Sequence, residues 1–123
     1  FFCWGVKWAL VEKNVMADNR RFGVSIGHND TDNVVRNNEV LRSGKFGIYL
    51  RQEHGPTFAP SRNHIEGNRV VDSGNETGSA VEIEGVTEQV TLKDNVLLET
   101  RMAASRAGVR ISKDAKAIAL SGN

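Results

Sequence analysis

The sequence is poor in several features that usually decide a protein's class. Its single cysteine, Cys3, excludes an internal disulfide framework and a cysteine-rich zinc site. The longest apolar runs, residues 8–11 and 117–120, are far too short to span a bilayer. The 16 basic and 15 acidic side chains leave a net charge of +1, without the basic surplus of a nucleic-acid-binding protein. We therefore expect neither a membrane nor a nucleic-acid partner.

Helical periodicity is also missing. No stretch places apolar residues at spacings of three and four between capping residues. In contrast to only 2 prolines, the chain contains 12 glycines and 11 asparagines among its 123 residues. With 39% hydrophobic and 25% charged residues, the composition is that of one ordinary soluble domain.

A short glycine-led pattern recurs along the chain. In each copy a glycine precedes two apolar residues that flank an outward one, and this alternation predicts a strand with one buried face. Four copies begin at Gly5, Gly23, Gly47 and Gly108, and a fifth begins at Ala80. Glycine at the start of the strand permits a sharp bend into it.

Asparagines set the register of the repeat. The column comprises Asn14, Asn38, Asn68, Asn95 and Asn123, at spacings of 24, 30, 27 and 28 residues. An apolar residue stands three positions before each asparagine. After each of the first four, another apolar residue follows at two positions and a small polar residue at five. Agreement across so many columns indicates a true internal repeat.

The repeat predicts an all-β solenoid. One unit cannot bury its inward residues alone, whereas stacked units can, with each strand pairing with its equivalent in the next coil. Stacking in register at about 4.8 Å per coil would form a ladder of asparagine amides at a turn. We predict one domain over residues 1–123 with about five coils.

Both chain ends interrupt the repeating pattern. The chain has no initiator methionine, and nothing in it matches a signal peptide. We therefore expect a piece of a longer solenoid. Because the end coils would present open strand edges, we also expect them to be open to self-association.

The repeat also suggests a family. Rows such as GVSIGHNDTDNVVRNNEVLRSG and GIYL…RNHIEGNRVVDSG resemble the right-handed parallel β-helix repeat proteins of the pectin-lyase-like superfamily. The resemblance covers nearly the whole chain and implies a right-handed single-stranded parallel β-helix. The superfamily includes polysaccharide lyases, glycoside hydrolases, uronan epimerases and phage tailspike domains. It thereby implies a secreted or cell-envelope setting and an acidic polysaccharide as ligand.

Two extended turns are candidates for chemistry, because turns of variable length carry function in such a stack. They span residues 27–33 and 51–61 and should lie on the same side of the solenoid. Carboxylates there would act as acid and base or bind Ca²⁺, an arginine would hold a uronate carboxylate, and a histidine would transfer protons. The predicted catalytic residues are Asp30, Asp32, Arg51, Glu53 and His54.

A structural alternative stands beside this one. The same residues would then be solvated turns in which asparagine and aspartate close Asx turns. The DTDN stretch does not fit an EF-hand, since Asn33 occupies its glycine position and Leu41 its bidentate glutamate position. Neither a cofactor nor a metal ligand set is fixed by these residues, and Ca²⁺ remains the one candidate ion.

The outward positions of the main strand form a polar strip suited to an extended sugar chain. Stacking places Glu82 beside Arg110 and Glu84 beside Arg51, which also suits plain cross-strand charge pairing. The residues predicted to bind substrate are His28, Tyr49, Glu82, Glu84 and Arg110. The column before the strand is Trp4, Phe22, Phe46, Ser79 and Ala107, and its aromatic rings would pack a corner or face a sugar.

Other motif matches carry no function. GVSIG fits the G-x-S-x-G pattern of hydrolases, but Ser25 lies within a predicted strand with no helix after it. Cys3, beside aromatic residues, is expected to be a core residue rather than a nucleophile. Three functions remain: a protein that binds, and cleaves or epimerises, an acidic polysaccharide; a non-catalytic scaffold or adhesion segment; and an assembly element that stacks end to end.

Overall fold

The computed structural model describes residues 2, 4–102 and 105–123, and all regular secondary structure in these ranges is β-strand. The prediction for Cys3 lies outside the described residues. The strands are short because each is interrupted by a corner of the coil. They are β1 (Leu10–Glu12), β2 (Val15–Ala17), β3 (Phe22–Ile26), β4 (Val34–Arg36), β5 (Glu39–Leu41), β6 (Phe46–Leu50), β7 (His64–Glu66), β8 (Arg69–Val71), β9 (Ser79–Ile83), β10 (Thr91–Lys93), β11 (Val96–Leu98), β12 (Ala107–Ile111) and β13 (Ala119–Ser121).

The strands stack into three parallel sheets. One sheet has the order β1-β4-β7-β10-β13, the second β2-β5-β8-β11 and the third β3-β6-β9-β12. Each coil contributes one strand to each sheet, so the described chain makes about four full turns and begins another. The predicted all-β parallel solenoid is confirmed.

Four of the five glycine-led rows are strands of the third sheet, and the first row is not. Val24, Ile48, Val81 and Val109 are partners in register. Residues 5–8 instead run beside the turn of the next coil, where Lys7 bridges Thr31. The prediction that placed this row in the main strand is wrong. An alternation of four residues is compatible with any extended segment, whereas the coil length of 24 residues places Lys7 beside Thr31.

The predicted asparagine ladder forms at one corner of every coil. The main-chain N–H and the Nδ2 of Asn38 both donate to Oδ1 of Asn68, each at 3.0 Å. Asn68 donates in the same way to Asn95, and Asn95 donates to Asn123. Each amide thereby satisfies polar groups that the corner removes from the strand ladders.

The corners share a left-handed backbone. The residue before each ladder asparagine has a positive φ, between 52° and 66°. These residues are Lys13, Asn37, Gly67, Asp94 and Gly122. Such a φ is costly for a residue with a Cβ, and here the bonded ladder that follows stabilises it.

A second, shorter ladder lies five residues earlier and was missed by the sequence analysis. Asn33 donates its main-chain N–H and its Nδ2 to Oδ1 of Asn63, at 3.0 and 3.1 Å. Both residues are fully buried, and each follows a corner residue with positive φ, Asp32 or Arg62. Their constant distance before Asn38 and Asn68 is the signal that would have found them.

Aliphatic side chains fill the centre of the solenoid. Ile26, Ile48, Ile65 and Ile83 are completely buried. The coil is narrow where each long strand begins. A Cβ on Gly47 would lie 2.5 Å from the carbonyl oxygen of Ala80 and closer still to Cγ1 of Val70, so only glycine fits there.

Charges alternate along one column of the first sheet. Glu12 pairs in register with Arg36, Arg36 with Glu66, and Glu66 with Lys93. The Arg36 Nε lies 2.9 Å from Oε2 of Glu12. Opposite charges on neighbouring parallel strands favour this register over one that places like charges together.

Candidate functional site

The outward side chains of the β3-β6-β9-β12 sheet form the predicted polar strip. Ser25, Tyr49, Glu82 and Arg110 are register partners from coil to coil. The predicted Glu82–Arg110 pair is present, with 3.4 Å between Nη1 and Oε2. Glu82 also accepts a hydrogen bond of 2.7 Å from the Ser79 hydroxyl. Since Glu82 is only 5% exposed, its carboxylate is held by these two partners rather than presented to a ligand.

The two extended turns meet on one side of the solenoid, as predicted. The main-chain N–H of His28 donates to Oε1 of Glu53 at 2.9 Å. The N–H of Asn29 donates to the carbonyl oxygen of Phe58 at 2.7 Å. The His28 ring lies between the rings of Trp4 and Phe58, at centroid distances of 3.9 and 5.1 Å. His28 therefore fastens the second turn to the first.

Arg51 lies at the centre of this junction. We call Arg51, Asp30, Glu53 and His28 the Arg51 cluster. The Arg51 Nε lies 3.2 Å from Glu53 Oε1, and its Nη2 lies 3.9 Å from Asp30 Oδ2. Its Nη1 also donates to the Ser25 hydroxyl at 2.8 Å. The Arg51–Glu53 ion pair packs against Gly27, because a Cβ on this glycine would lie 2.5 Å from Arg51 Nε.

Asp30 closes a turn. Its side chain is completely buried and accepts hydrogen bonds from the N–H groups of Val6, at 2.8 Å, and Gly27, at 3.0 Å. The bond to Gly27 closes the turn that ends the long strand, and the bond to Val6 joins two coils. This is the geometry of the structural alternative, in which aspartate stabilises the backbone of a turn.

Asp32 forms its ion pair away from the Arg51 cluster. Its two carboxylate oxygens accept from Nε and Nη2 of Arg62 at 2.7 and 2.9 Å. This bidentate hydrogen bonding lowers the pKa of Asp32 below its ordinary value. Asp32 occupies a corner position with a positive φ, and its carboxylate pairs with Arg62.

Beside the Arg51 cluster is a shallow groove of about 360 Å³. It is lined by Tyr49, Gln52, Glu53, His54 and Glu84. The Tyr49 hydroxyl donates to Oε2 of Glu84 at 2.5 Å. Burial, and then the neighbouring Glu84 carboxylate, raise the pKa of Tyr49 well above its ordinary value. Tyr49 is therefore a hydrogen-bond donor at neutral pH and not a base. The main-chain register also places Glu84 beside Arg51, as predicted.

Three aromatic rings of β3 and β6 lie together. We call Phe22, Phe46 and Tyr49 the aromatic strip. The Phe22 and Phe46 rings stack at 5.9 Å, and the Tyr49 ring lies 4.8 Å from each. Phe46 is buried, whereas Phe22 and Tyr49 are half-buried. Trp4, predicted for this column, contacts His28 instead because the first row belongs to a different part of the coil.

Two cations flank the aromatic strip. Cζ of Arg21 lies 5.2 Å from the Phe22 ring centroid, and Nζ of Lys45 lies 5.0 Å from that of Phe46. Among the described residues, neither cation forms a salt bridge. The sequence analysis missed both, although each is the basic residue immediately before a phenylalanine of the repeat.

Neither a metal centre nor a membrane span appears in the part of the chain that the structure describes. No three histidine, cysteine, aspartate or glutamate side chains come close enough there to hold a metal ion. The Asp30 and Glu53 carboxylates are held by Arg51 and by main-chain N–H groups. Within the same ranges, no helix has the length and apolar character needed to cross a bilayer.

Parallel sheets, stacked asparagines and a filled aliphatic centre define this chain as a β-solenoid. A family model described as "Right handed beta helix region" matches residues 3–123. The chain therefore belongs to the right-handed β-helix family, as the resemblance implied. No curated protein and no solved structure gave a match to it.

Proposed function

We propose that this β-helix binds an acidic polysaccharide along the outward face of the β3-β6-β9-β12 sheet. The observation that carries the proposal is the aromatic strip with Arg21 and Lys45 beside it. In the described structure nine of the 16 basic side chains form salt bridges. Arg21 and Lys45 are among the seven that do not, and both lie over aromatic rings.

The chemistry of the strip suits a uronate polymer. Half-buried aromatic rings offer apolar faces on which the C–H faces of sugar rings pack. The guanidinium of Arg21 and the ammonium of Lys45 provide charge-assisted hydrogen bonds to sugar carboxylates. Because these two cations occupy equivalent positions in adjacent coils, they lie about one coil spacing apart, roughly 4.8 Å along the stack.

The adjoining groove favours binding without cleavage. Tyr49 is held protonated by burial and by Glu84, so it does not serve as a base. Asp30 is committed to two main-chain N–H groups. Of the residues predicted to be catalytic, Glu53 and His54 are the ones that line the groove, and Glu53 is bonded to Arg51 and to the His28 N–H.

The test compares two double variants with the same change in net charge. Arg21→Gln with Lys45→Gln removes both cations of the strip, whereas Lys113→Gln with Lys116→Gln removes two exposed cations from another part of the chain. Binding to polygalacturonate and to uncharged dextran is measured by calorimetry at low and moderate salt. We expect the wild type and the Lys113/Lys116 variant to bind polygalacturonate alike, and the strip variant to bind about tenfold or more weakly.

Two results would contradict the proposal. Equal losses in both double variants would mean that polygalacturonate responds only to net charge. Equal binding of dextran and polygalacturonate by the wild type would mean that the cations do not recognise the acid groups. Assays for new reducing or unsaturated ends in the same samples would show whether cleavage accompanies binding.

A non-catalytic scaffold is the second candidate, and the Arg51 cluster favours it. Each of its side chains contacts another segment of the chain. Asp30 accepts a hydrogen bond from Val6, Arg51 donates one to Ser25, and the His28 ring contacts Phe58. In a scaffold these side chains only stabilise the turns. If the protein binds neither charged nor neutral polysaccharides, and circular dichroism shows that it is folded, the scaffold function is favoured over polysaccharide binding.

A further inference from the structure

The outward face of the β1-β4-β7-β10-β13 sheet carries an exposed apolar patch in its first two coils. The Trp8 side chain is 80% exposed and that of Leu10 is 51% exposed, while Val34 is half-buried. Leu10 and Val34 are register partners, and Trp8 and Val34 line one groove, so the three side chains are contiguous. A contiguous apolar patch on a soluble surface indicates a contact surface. This face belongs to another sheet than the one proposed above for the acidic polymer.

Two lysines before and after β1 form no salt bridge within the described part of the chain. Lys7 still acts on a carboxylate, because Arg62, and after it Lys7, lower the pKa of Asp32. Lys13 precedes a ladder asparagine, and the equivalent residue of the next coil is Asn37, which is uncharged. The exposed Lys13 ammonium is therefore available to a carboxylate of another chain.

The charges of this face reverse their sign about a line between β4 and β7. Equivalent positions of the first and fourth coils, and of the second and third coils, carry opposite charges wherever both are charged. The pairs are Lys7 and Glu88, Glu12 and Lys93, Lys13 and Asp94, Asp32 and Arg62, and Arg36 and Glu66. The first three pairs lie three coils apart, roughly 14 Å, so attraction within the chain does not explain them.

A face that binds a second copy of itself across a two-fold axis needs such a sign reversal, because each residue then meets the residue equivalent to its counterpart. An axis parallel to the strands, between β4 and β7, sets the first coil of one copy against the fourth coil of the other. All five charge pairs then form twice between the copies. We propose that this chain forms a two-fold dimer through the β1-β4-β7-β10-β13 sheet, with its two solenoid axes antiparallel.

The uncharged positions and the choice of axis agree with this dimer. The apolar patch of one copy would meet only uncharged polar or neutral aromatic side chains of the other, Gln89, Thr91 and His64. β13 has no counterpart, and its outward residues, Ala119 and Ser121, are uncharged. An axis through β4 or through β7 would set Arg36 or Glu66 against its own copy. Charge therefore selects the axis between these strands.

The size of the face determines how strong the dimer can be. Four coils at about 4.8 Å and seven residues at about 3.3 Å give a footprint of roughly 20 Å by 20 Å on each copy. Each partner of a standard stable interface buries about 800 Å², so this face is small. Because most of its cross-copy contacts are exposed ion pairs, we expect a weak dimer that dissociates further as salt is raised.

The test is a charge swap between copies, measured by sedimentation equilibrium up to millimolar protein in low and moderate salt. Lys13→Glu and Asp94→Lys are made in separate chains, since both residues are exposed and lie in different coils. Each variant alone sets like charges against each other twice in its dimer, whereas a mixed dimer of the two regains opposite charges. Lys113→Glu and Asp114→Lys are the controls, because they change the net charge equally at exposed residues between β12 and β13.

We expect a monomer–dimer equilibrium for the wild type, dimerisation weaker by about tenfold or more in each test variant, and recovery to the wild-type level in their equimolar mixture. Both control variants and their mixture should dimerise as the wild type does.

The proposal is overturned if the wild type stays monomeric at millimolar concentration in low salt, or if the test variants dimerise as well as the wild type. It is also overturned if mixing the test variants restores nothing, or if the control variants weaken and recover equally, which would indicate net charge alone. Oligomers that keep growing with concentration would indicate end-to-end stacking instead of this face. None of the variants alters the aromatic strip, so the result is independent of polysaccharide binding.

Discussion

The side-chain oxygen of Asn95 accepts two hydrogen bonds from Asn68, one from its main-chain N–H and one from its Nδ2, each of 3.0 Å. Asn68 is fully buried, and its Nδ2 also donates to the carbonyl oxygen of Val35 at 2.9 Å. One carboxamide therefore joins three coils. In a fold whose strands are only three to five residues long, such side-chain bonds replace the long backbone ladders of ordinary sheets.

The Asn68→Ala variant tests the strength of the ladder. Removing this amide leaves buried donors and acceptors of the neighbouring coils without partners, and we expect unfolding free energy to fall by about 1–3 kcal/mol. Asn14→Ala is the matched control, because Asn14 is exposed at the edge of the ladder and should cost less. Urea denaturation monitored by circular dichroism measures both. Equal effects would show that burial of the ladder does not determine its contribution.

The glycines that begin the long strands are not equivalent. Gly47→Ala would force a Cβ within 2.5 Å of the Ala80 carbonyl oxygen, and we expect a loss of about 1–3 kcal/mol. Gly108→Ala meets nothing nearer than Leu97 Cδ1 at 3.8 Å, so it should be neutral or stabilising by up to about 1 kcal/mol. Thermal unfolding of the two variants checks this difference. A destabilised Gly108→Ala variant would mean that the last described coil is more tightly packed than the structure shows.

The Asp30→Asn variant distinguishes a structural role of the Arg51 cluster from a role in the ligand site. Asp30→Asn keeps the shape of the side chain but replaces one acceptor with a donor that faces an N–H group. We expect a loss of about 1–3 kcal/mol in stability and unchanged binding of polygalacturonate by the folded variant. Calorimetric binding and urea unfolding on the same preparation test both parts. Reduced polysaccharide affinity with unchanged stability would instead place Asp30 in the ligand site.

Glu99 makes part of the stability depend on pH. Its hydrogen bonds with Arg101 lower its pKa from 4.5 to about 2. A carboxyl whose pKa falls on folding stabilises the protein above its unfolded pKa, and this stabilisation disappears as the pH falls towards 2. Glu99→Gln should therefore unfold at lower urea than the wild type near neutral pH and at the same urea near the acid limit. Glu76→Gln, which removes a carboxylate without a salt bridge in the described structure, should show no such convergence.

The repeat made the architecture predictable, and each error has a local cause. The asparagine column, the parallel stacking and the long strands from Gly23 onwards follow from buried positions that every coil must fill in the same way. The row at Gly5 was misplaced because its alternation is shared by any extended segment, while its true neighbour, Thr31, is set by coil length. Asn33 was placed in an extended turn and not in a ladder because a ladder of two members forms no visible column.

The site was less predictable than the fold. The turn lengths correctly predicted that His28, Arg51 and Glu53 lie close together, because extended turns at equivalent positions of adjacent coils project from the same side of the solenoid. Whether Asp30 faces a ligand or a main-chain N–H depends on the backbone conformation of the whole turn, which the sequence pattern alone does not specify. The cations Arg21 and Lys45 escaped notice because basic residues are common at turns, and only their position over the rings distinguishes them.

Charges alternate in sign along the column Glu12, Arg36, Glu66 and Lys93. This alternation favours the stacking of each coil on its immediate neighbour in the chain. If a coil were left out during folding, Glu12 would come to lie beside Glu66, or Arg36 beside Lys93, and each such mistake would juxtapose like charges. The penalty is small for one pair, yet it recurs at every wrongly joined coil. The charge column thereby distinguishes each coil's immediate neighbour from the coil after it.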